Sequence, residues 1–309
     1  MGKIYHSMTE MVGNTPILEL HKIEEQQGTR GHLFAKLEAY NPAGSVKDRI
    51  ALNMIEAAEK DGILKPGGTI IESTSGNTGI GLAAIATAKG YHAIICMPEN
   101  MSKERVDLLK GYGAEVILTP AKDYMVGSNQ KAEELAETIP GAFLVGQGFN
   151  PNNPAMHRKT TGPEIWRDLD EKVDIFVAAI GTGGTITGVG SYLKEKNPKV
   201  QVIAVEPASS PLLSQGWSGT HKIQGIGPVE PCKVLDQSIY QEVVAVKDED
   251  AFESARNCAR TEGVSIGISA GAILWAAVQV AKRPENEGKN IVFVFPDKGE
   301  RYLSSGLYE

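Results

Sequence analysis

Two open α/β units, each built on a mostly parallel sheet, are what this 309-residue sequence predicts. Three observations carry that reading. Short β-branched or apolar runs alternate with amphipathic segments from Thr69 onward; the alternation breaks and restarts near residues 145 to 175; and three glycine-rich turns stand where a strand hands over to a helix. Strands of a parallel sheet are buried on both faces, so they read as continuous apolar runs between covering helices. The turns after such strands are where open sheets take their ligands.

In chain order, Pro42 and Gly44 break regular structure, and Ser45 is placed to cap a helix over 46–60, where Ile50, Leu52, Ile55 and Ala58 fall at helical spacing. The first series then predicts strands at 69–72, 92–97, 114–118 and 142–145, with helices at 77–89, near 103–111 and near 129–138. An earlier strand, 33–37, is expected to close one end of this first unit, although its pattern alone assigns it to neither domain. The second series predicts strands at 174–180, 200–205, 243–246 and 290–295, with helices at 249–261 and 269–281. There are no internal repeats, low-complexity tracts or long linkers.

Composition narrows the function classes. With 41% hydrophobic and 22% charged residues the chain is an ordinary globular one, large enough for two cores. A net charge of −7 without runs of like charge argues against nucleic acid or an anionic membrane as partner. Cys96, Cys232 and Cys258 are an odd, scattered set with no CxxC pair, which fits a reducing cytosol and offers neither a disulfide framework nor a metal site. Residues 1–10 lack the apolar core of a signal peptide, and no apolar run reaches membrane-spanning length, so a cytoplasmic protein is expected.

The stretch Asn41-Pro42-Ala43-Gly44-Ser45-Val46-Lys47-Asp48-Arg49 sets one lysine in the first turn of the predicted helix. The positive end of a helix dipole disfavours an ammonium there, and a neutral amine is what imine formation with an aldehyde requires. Taken alone, a lysine is more often a solvated surface residue. The glycine-rich turns give Lys47 its company. Thr74-Ser75-Gly76-Asn77-Thr78-Gly79 offers hydroxyls, an amide and helix N–H groups to an anion such as a carboxylate, or is an ordinary capped loop. Gly181-Thr182-Gly183-Gly184-Thr185 suits a phosphate dianion. It also resembles a dinucleotide fingerprint, with Glu206 imitating the ribose-binding acid, but that spacing requires glycine at Ile186. Gly267-Ile268-Ser269-Ala270-Gly271-Ala272 precedes a helix of small residues, where Ser269 by itself reads first as a cap.

In this order the four motifs closely resemble the cysteine synthase and cystathionine β-synthase family of pyridoxal-phosphate enzymes, on the side of the bacterial O-acetylserine sulfhydrylases. The resemblance extends over nearly the whole chain, through Gly13-Asn14-Thr15-Pro16, Met97-Pro98-Glu99, Thr161-Gly162-Pro163-Glu164-Ile165-Trp166, Ile223-Gln224-Gly225-Ile226-Gly227 and Gly299-Glu300-Arg301-Tyr302-Leu303. It implies the fold type II, tryptophan synthase β-like architecture with the cofactor, pyridoxal 5'-phosphate, between two α/β domains. A larger cofactor-binding domain is then expected from 1–45 plus 150–309, and a smaller mobile one from 46–149.

Carried over by residue, the resemblance makes Lys47 the Schiff-base lysine and Gly181, Thr182, Gly183, Gly184 and Thr185 the phosphate cup. Asn77 is similar to the asparagine at the cofactor's phenolic oxygen, and Ser269 to the serine at its pyridine nitrogen. Thr74, Ser75, Thr78 and Gln147 match positions that grip the substrate α-carboxylate. A neutral hydroxyl at the pyridine nitrogen leaves the ring a weaker electron sink than an aspartate would, which favours β-elimination over transamination. The implied reaction is a ping-pong β-replacement through a bound aminoacrylate, with the freed Lys47 amine taking and returning the Cα proton.

The simplest member is a cysteine synthase, joining O-acetylserine and sulfide to give cysteine and acetate. Two departures bear on the substrate. Where the family has Gln-Phe, Gln147 is followed by Gly148, with Phe149 displaced by one; and where it has Ala-Gly-Phe after Gly225-Ile226-Gly227, this chain has Pro228-Val229-Glu230. Gly148 would enlarge the pocket wall. Glu230 is either a solvated loop carboxylate or, facing the cleft, a base toward water or a thiol, or a contact for a second amino acid's amino group. The latter suits a cysteine-consuming, hydrogen sulfide-releasing relative that forms serine, lanthionine or cystathionine. Readings of another class are a nicotinamide-dependent oxidoreductase and a catalytically silent binding homologue. Partners are expected to be an amino acid and a thiol or sulfide. The resemblance also implies a homodimer. Serine acetyltransferase, bound by some relatives, has no sign in the sequence, and the short chain after Leu303 is expected to leave no room for a regulatory C-terminal domain.

Overall fold

The early strand at 33–37 belongs to the second sheet, not the first. In the structure, a computed structural model that describes residues 4–101 and 103–309, β1 (Ile17–Glu19) is followed by α1 (His21–Gln27) and β2 (His32–Leu37). β2 pairs antiparallel with β1 and parallel with the strand Asn290–Phe295. Alternation within a segment announces a strand, but its partner here lies more than two hundred residues away, where a local pattern carries no information.

Residues 4–12 and Asn41–Asn153 make the smaller unit. It contains α2 (Lys47–Lys60), β3 (Thr69–Ser73), α3 (Asn77–Lys89), β4 (His92–Pro98), α4 (Lys103–Gly111), β5 (Glu115–Thr119), α5 (Tyr124–Thr138) and β6 (Phe143–Leu144). The four strands are all parallel, in the order β5-β4-β3-β6. Successive side chains of β3 leave on opposite faces. Ile70 enters a core with Ile50, Ile55, Leu82 and Ile85 of α2 and α3, while Ile71 packs with Ile94, Cys96 and Ala132 of α5. Each fully buried side chain of this size contributes about 1.5–3 kcal/mol. α5 begins five residues before the predicted start. Gly127 and Ser128 look like turn residues, yet a Cβ on Gly127 would stand 2.7 Å from Asp123 Cβ, and Ser128 is buried with its hydroxyl 2.7 Å from that of Thr119.

Gly13–Tyr40 and Pro154–Glu309 make the larger unit. The chain enters it within α6 (Asn152–Met156), which runs through a π-helical turn at His157–Thr161 into α7 (Gly162–Asp168). β7 (Ile175–Ala179), α8 (Gly184–Lys196), β8 (Gln201–Pro207), α9 (Leu212–Gln215), β9 (Glu242–Val246), α10 (Asp248–Thr261), α11 (Ile268–Ala281) and β10 (Asn290–Phe295) follow. The six-stranded sheet runs β1-β2-β10-β7-β8-β9, parallel except at β1. Fully buried Lys36 of β2 holds α7 through Glu164 at 2.9 Å and Asp168 at 3.3 Å, and donates to Thr15 O at 2.6 Å.

The units differ in outline from the expected division at 45 and 150. Met8 and Val12 pack against the smaller unit's core, and the turn ahead of Lys47 is tied to α2 by Ala43 N–H donating to Asp48 Oδ2 at 2.6 Å, so both segments leave the larger unit. Among the described residues no helix is long and apolar enough to cross a membrane.

Candidate active site

Lys47 is the first residue of α2, half-buried at the end of a braced turn. Gly44 takes a left-handed φ of 85°, which glycine adopts without a Cβ penalty. Asn41 Nδ2 donates to Ser45 O at 3.1 Å, and Asp48 accepts from Ala43 N–H and, at 3.4 Å, from Ser45 Oγ. Ser45 is not the cap residue: Val46 holds that position, and Ser45 Oγ accepts the Lys47 N–H at 3.2 Å from one place further out. Asn41, Ser45, Asp48 and Arg49 are buried, so the backbone that carries Lys47 is held from below.

α3 lies close against this helix start. A Cβ on Gly81 would be 3.2 Å from the Lys47 carbonyl carbon and oxygen. Asn77 opens α3 one turn earlier, on the same face as Gly81, so Lys47 and Asn77 are brought together by helix packing rather than by the sequence between them. Ahead of Asn77, Thr74 is buried, its N–H bonded to Cys96 O at 3.0 Å and its hydroxyl accepting from Gly76 N–H at 3.2 Å. Arg105 Nη1 donates to Ser75 O at 3.0 Å. Thr78 Oγ1 donates to Gln147 Oε1 at 2.7 Å, and Asn153 Nδ2 holds the Gln147 carbonyl at 2.8 Å. Thr74, Ser75, Asn77, Thr78 and Gln147 thus gather in the smaller unit together with Lys47.

Glu72, one strand residue before this loop, was not singled out by the sequence patterns. It is 4% exposed, accepts from Gly146 N–H at 2.8 Å, and also takes the backbone and side-chain amides of Gln147. Burial raises its pKa from 4.5 to about 7 although those hydrogen bonds pull the other way. An acid inside the otherwise apolar run Thr69-Ile70-Ile71-Glu72 was the signal available. Gly148 is half-buried. Phe149, 57% exposed, turns its ring onto Gly146, where a Cβ would lie 2.0 Å from the ring.

In the larger unit, Gly181–Thr185 leads from the end of β7 into the first turn of α8. Gly183 has φ 87°, and Gly184 N–H bonds to Thr182 Oγ1 at 3.4 Å. A Cβ on Gly181 would reach to 2.6 Å from Gly225 O, in a loop stitched to the strand end by Gly227 N–H donating to Ile180 O at 2.9 Å. Buried His157, in the π turn, has Nε2 3.3 Å from Thr185 Oγ1 and Nδ1 2.9 Å from Thr161 Oγ1. Its place in the quoted Thr161-Gly162-Pro163 neighbourhood could have marked it.

The structure also places Ser269, Glu206 and Glu230. Ser269 is not a helix cap: Gly267 takes that position, pressed by Asp297 and Tyr302, and Ser269 lies buried in the first turn of α11. Glu206 does not await a ribose, because its carboxylate accepts from Leu213 N–H at 2.7 Å, Ser214 N–H at 3.3 Å and the Ser214 hydroxyl at the start of α9. Glu230 is exposed in the loop after Gly227.

The profile of a family described as pyridoxal-phosphate dependent enzyme matches residues 8–297. A probable cysteine synthase of Bacillus subtilis is 49% identical over all of this chain and 99% of its own length. Among solved structures, the cysteine synthase of Entamoeba histolytica superposes with a TM-score of 0.96 at 43% identity, over 99% of this chain and 91% of that one. A hydrogen sulfide-producing enzyme of Fusobacterium nucleatum does so with a TM-score of 0.92 at 44% identity, over 97% and 100%.

Proposed function

The chain belongs to the pyridoxal-phosphate-dependent enzyme family, and from that membership we propose that it is a cysteine synthase, converting O-acetylserine and sulfide to cysteine and acetate. The observation that carries this reading is the full-length identity of 49% to the Bacillus subtilis relative, in a chain whose Lys47 and carboxylate-binding loop share one unit.

The residues present fit the cofactor. Gly181 and Gly183 leave no room for a Cβ, which would stand 2.6 Å from Gly225 O and from Leu235 Cδ1, and so keep a bare-backbone turn at the N-terminus of the thirteen-residue α8, whose N–H groups and positive dipole end suit a phosphate dianion. Asn77 is assigned to the phenolic oxygen and Ser269 to the ring nitrogen. When bound, pyridoxal phosphate supplies an aldehyde carbon for an amine and a ring that draws electron density from the substrate's Cα. The chain's part is to hold the amino acid's carboxylate with Thr74, Ser75, Thr78 and Gln147, and to move the Cα proton on Lys47 Nζ. His157 steadies the Thr185 hydroxyl. Buried free thiols at Cys96 and Cys258 support a cytoplasmic setting, and a homodimer rests on the family likeness.

Product analysis decides the reaction. O-acetylserine with sulfide is expected to give cysteine faster than cysteine gives sulfide with any acceptor; the reverse ranking would reject the cysteine synthase reading. The likeness to the hydrogen sulfide-producing Fusobacterium enzyme, together with Gly148 and exposed Glu230, supports cysteine use as a second reading. On that reading Glu230→Gln lowers sulfide release from cysteine about tenfold and leaves O-acetylserine turnover unchanged, whereas a variant that keeps the full wild-type rate of sulfide release from cysteine would discard it.

Gly183→Ala tests the cradle. Its left-handed φ and a Cβ only 2.6 Å from Leu235 Cδ1 oppose the substitution. The expected outcome is cofactor affinity weakened about tenfold, measured by titrating the stripped chain and following its visible absorbance.

A further inference from the structure

Glu72, Gln147 and Thr78 form a relay inside the smaller unit. The Gln147 amide is oriented at both ends, its nitrogen towards Glu72 and its Oε1 accepting the Thr78 hydroxyl at 2.7 Å. Gly146 N–H and the Gln147 backbone N–H fix the carboxyl in place. An amide has donors on one side and an acceptor on the other, so its facing decides the direction of every bond in the row.

We propose that Glu72 is a positioning residue under proton control: the charge on its carboxyl sets which way the Gln147 amide faces, and so how many donors Thr78 and Gln147 turn towards a substrate carboxylate. This rests on the assignment of Thr78 and Gln147 to that carboxylate. With Glu72 ionised, one Gln147 N–H is spent on it and the Thr78 O–H is spent on Gln147 Oε1, which leaves a single side-chain N–H for the ligand. With Glu72 protonated, its O–H donates to Gln147 Oε1, the amide turns over, and Nε2 donates to Thr78 Oγ1. The Thr78 proton is then free to meet the ligand, and no negative charge stands behind the row.

The surroundings allow both states near neutrality. Burial raises the Glu72 pKa to about 7. Across the strand pair, the Cys96 thiol of β4 interacts with Glu72 but is itself pushed up to about 11 and stays uncharged. Among the described residues, Lys131 and Glu134 of α5 and Glu115 of β5 bear on Cys96.

The test uses the cofactor-loaded full chain with L-serine as probe, its affinity measured calorimetrically between about pH 5.5 and 8.5. Wild-type affinity is expected to fall about tenfold as pH rises through 7, as one hydrogen bond to a charged group is lost. Glu72→Gln should lack that fall, the ammonium of L-serine being common to both proteins. A second readout needs no turnover: the infrared C=O stretch of a protonated carboxyl, absent in Glu72→Gln, should vanish through pH 7 in the wild type, with its midpoint raised by about one pH unit in L-serine. A carboxyl ionised across this whole range, or a variant affinity with the wild-type pH dependence, would overturn the proposal. Should the variant not fold, a flat wild-type affinity overturns it equally. If Thr78→Val binds L-serine as tightly as wild type, the carboxylate assignment fails and this inference with it. If Thr78→Val weakens binding while Glu72→Gln keeps the wild-type slope, the assignment stands and the role of Glu72 is rejected.

Discussion

Lys47→Ala is expected to lower β-replacement turnover by at least about 10³-fold and to abolish the visible absorbance of the loaded protein. The size of the effect follows from the number of tasks placed on one atom. On the proposed function Lys47 Nζ is both the amine that joins the cofactor and the group that takes and returns the Cα proton, and no other lysine shares its helix start. Lys47→Arg should fare no better, because a guanidinium stays protonated and is neither a nucleophile nor a base at neutral pH. Folding should survive both changes. The turn is held by Asn41, Ser45 and Asp48 and by backbone bonds, and Lys47 is only half-buried. A folded Lys47→Ala protein with turnover within tenfold of wild type would remove Lys47 from the chemistry.

Glu72→Gln is expected to stabilise the protein at pH 8 by about 3 kcal/mol, with little effect below pH 4.5. The direction follows from proton binding. Burial lifts the folded pKa from 4.5 to about 7, so between those values the unfolded chain has released its proton and the native chain still holds it. The native state binds more protons, so wild-type stability falls as pH rises through this window and levels off above 7. This is opposite to a salt-bridged carboxylate, whose contribution is lost on acidification. Glutamine keeps an acceptor for Gly146 N–H and a donor for Gln147, as the protonated acid does, and cannot take on the buried charge. Urea unfolding of both proteins at pH 5 and 8 reads the difference, and an advantage of the variant that does not grow with pH would show that Glu72 is not the buried acid described here.

Glu72 is therefore under tension between stability and function. A carboxyl that weakens the fold when ionised is one whose removal would be neutral or beneficial in a purely structural strand. Its position beside Gln147, one loop away from Thr78, gives the ionisation somewhere to act. Mutational scans that score stability alone should therefore favour glutamine at residue 72, and scans that score amino-acid binding across pH should separate the two side chains.

The strands and helices from Thr69 onward were legible because each depends on its own residues. Apolar runs of strand length, helical spacing in α2, and glycines after β3 and β7 are local facts, and they appear where the pattern put them. The exceptions have particular causes. Gly127 reads as a helix breaker until Asp123 is seen where its Cβ would be, and Ser269 reads as a cap until Gly267 is found in that position. Glu206 sits where a ribose-binding acid would, but a short helix has already claimed its carboxylate.

Motif order and residue type were enough to identify the family, because a lysine at a helix start and a glycine turn before α8 are each written in consecutive residues. Tertiary structure decided the remainder. β2 joins β10 because sheet pairing is chosen by the whole core, and its two strands share no stretch of sequence. The proton affinity of Glu72 depends on how much water is excluded by everything packed around β3, and the facing of Gln147 depends on a loop seventy residues away. Desolvation and long-range hydrogen bonds belong to the assembled fold, which is why no window of sequence around Glu72 contains them.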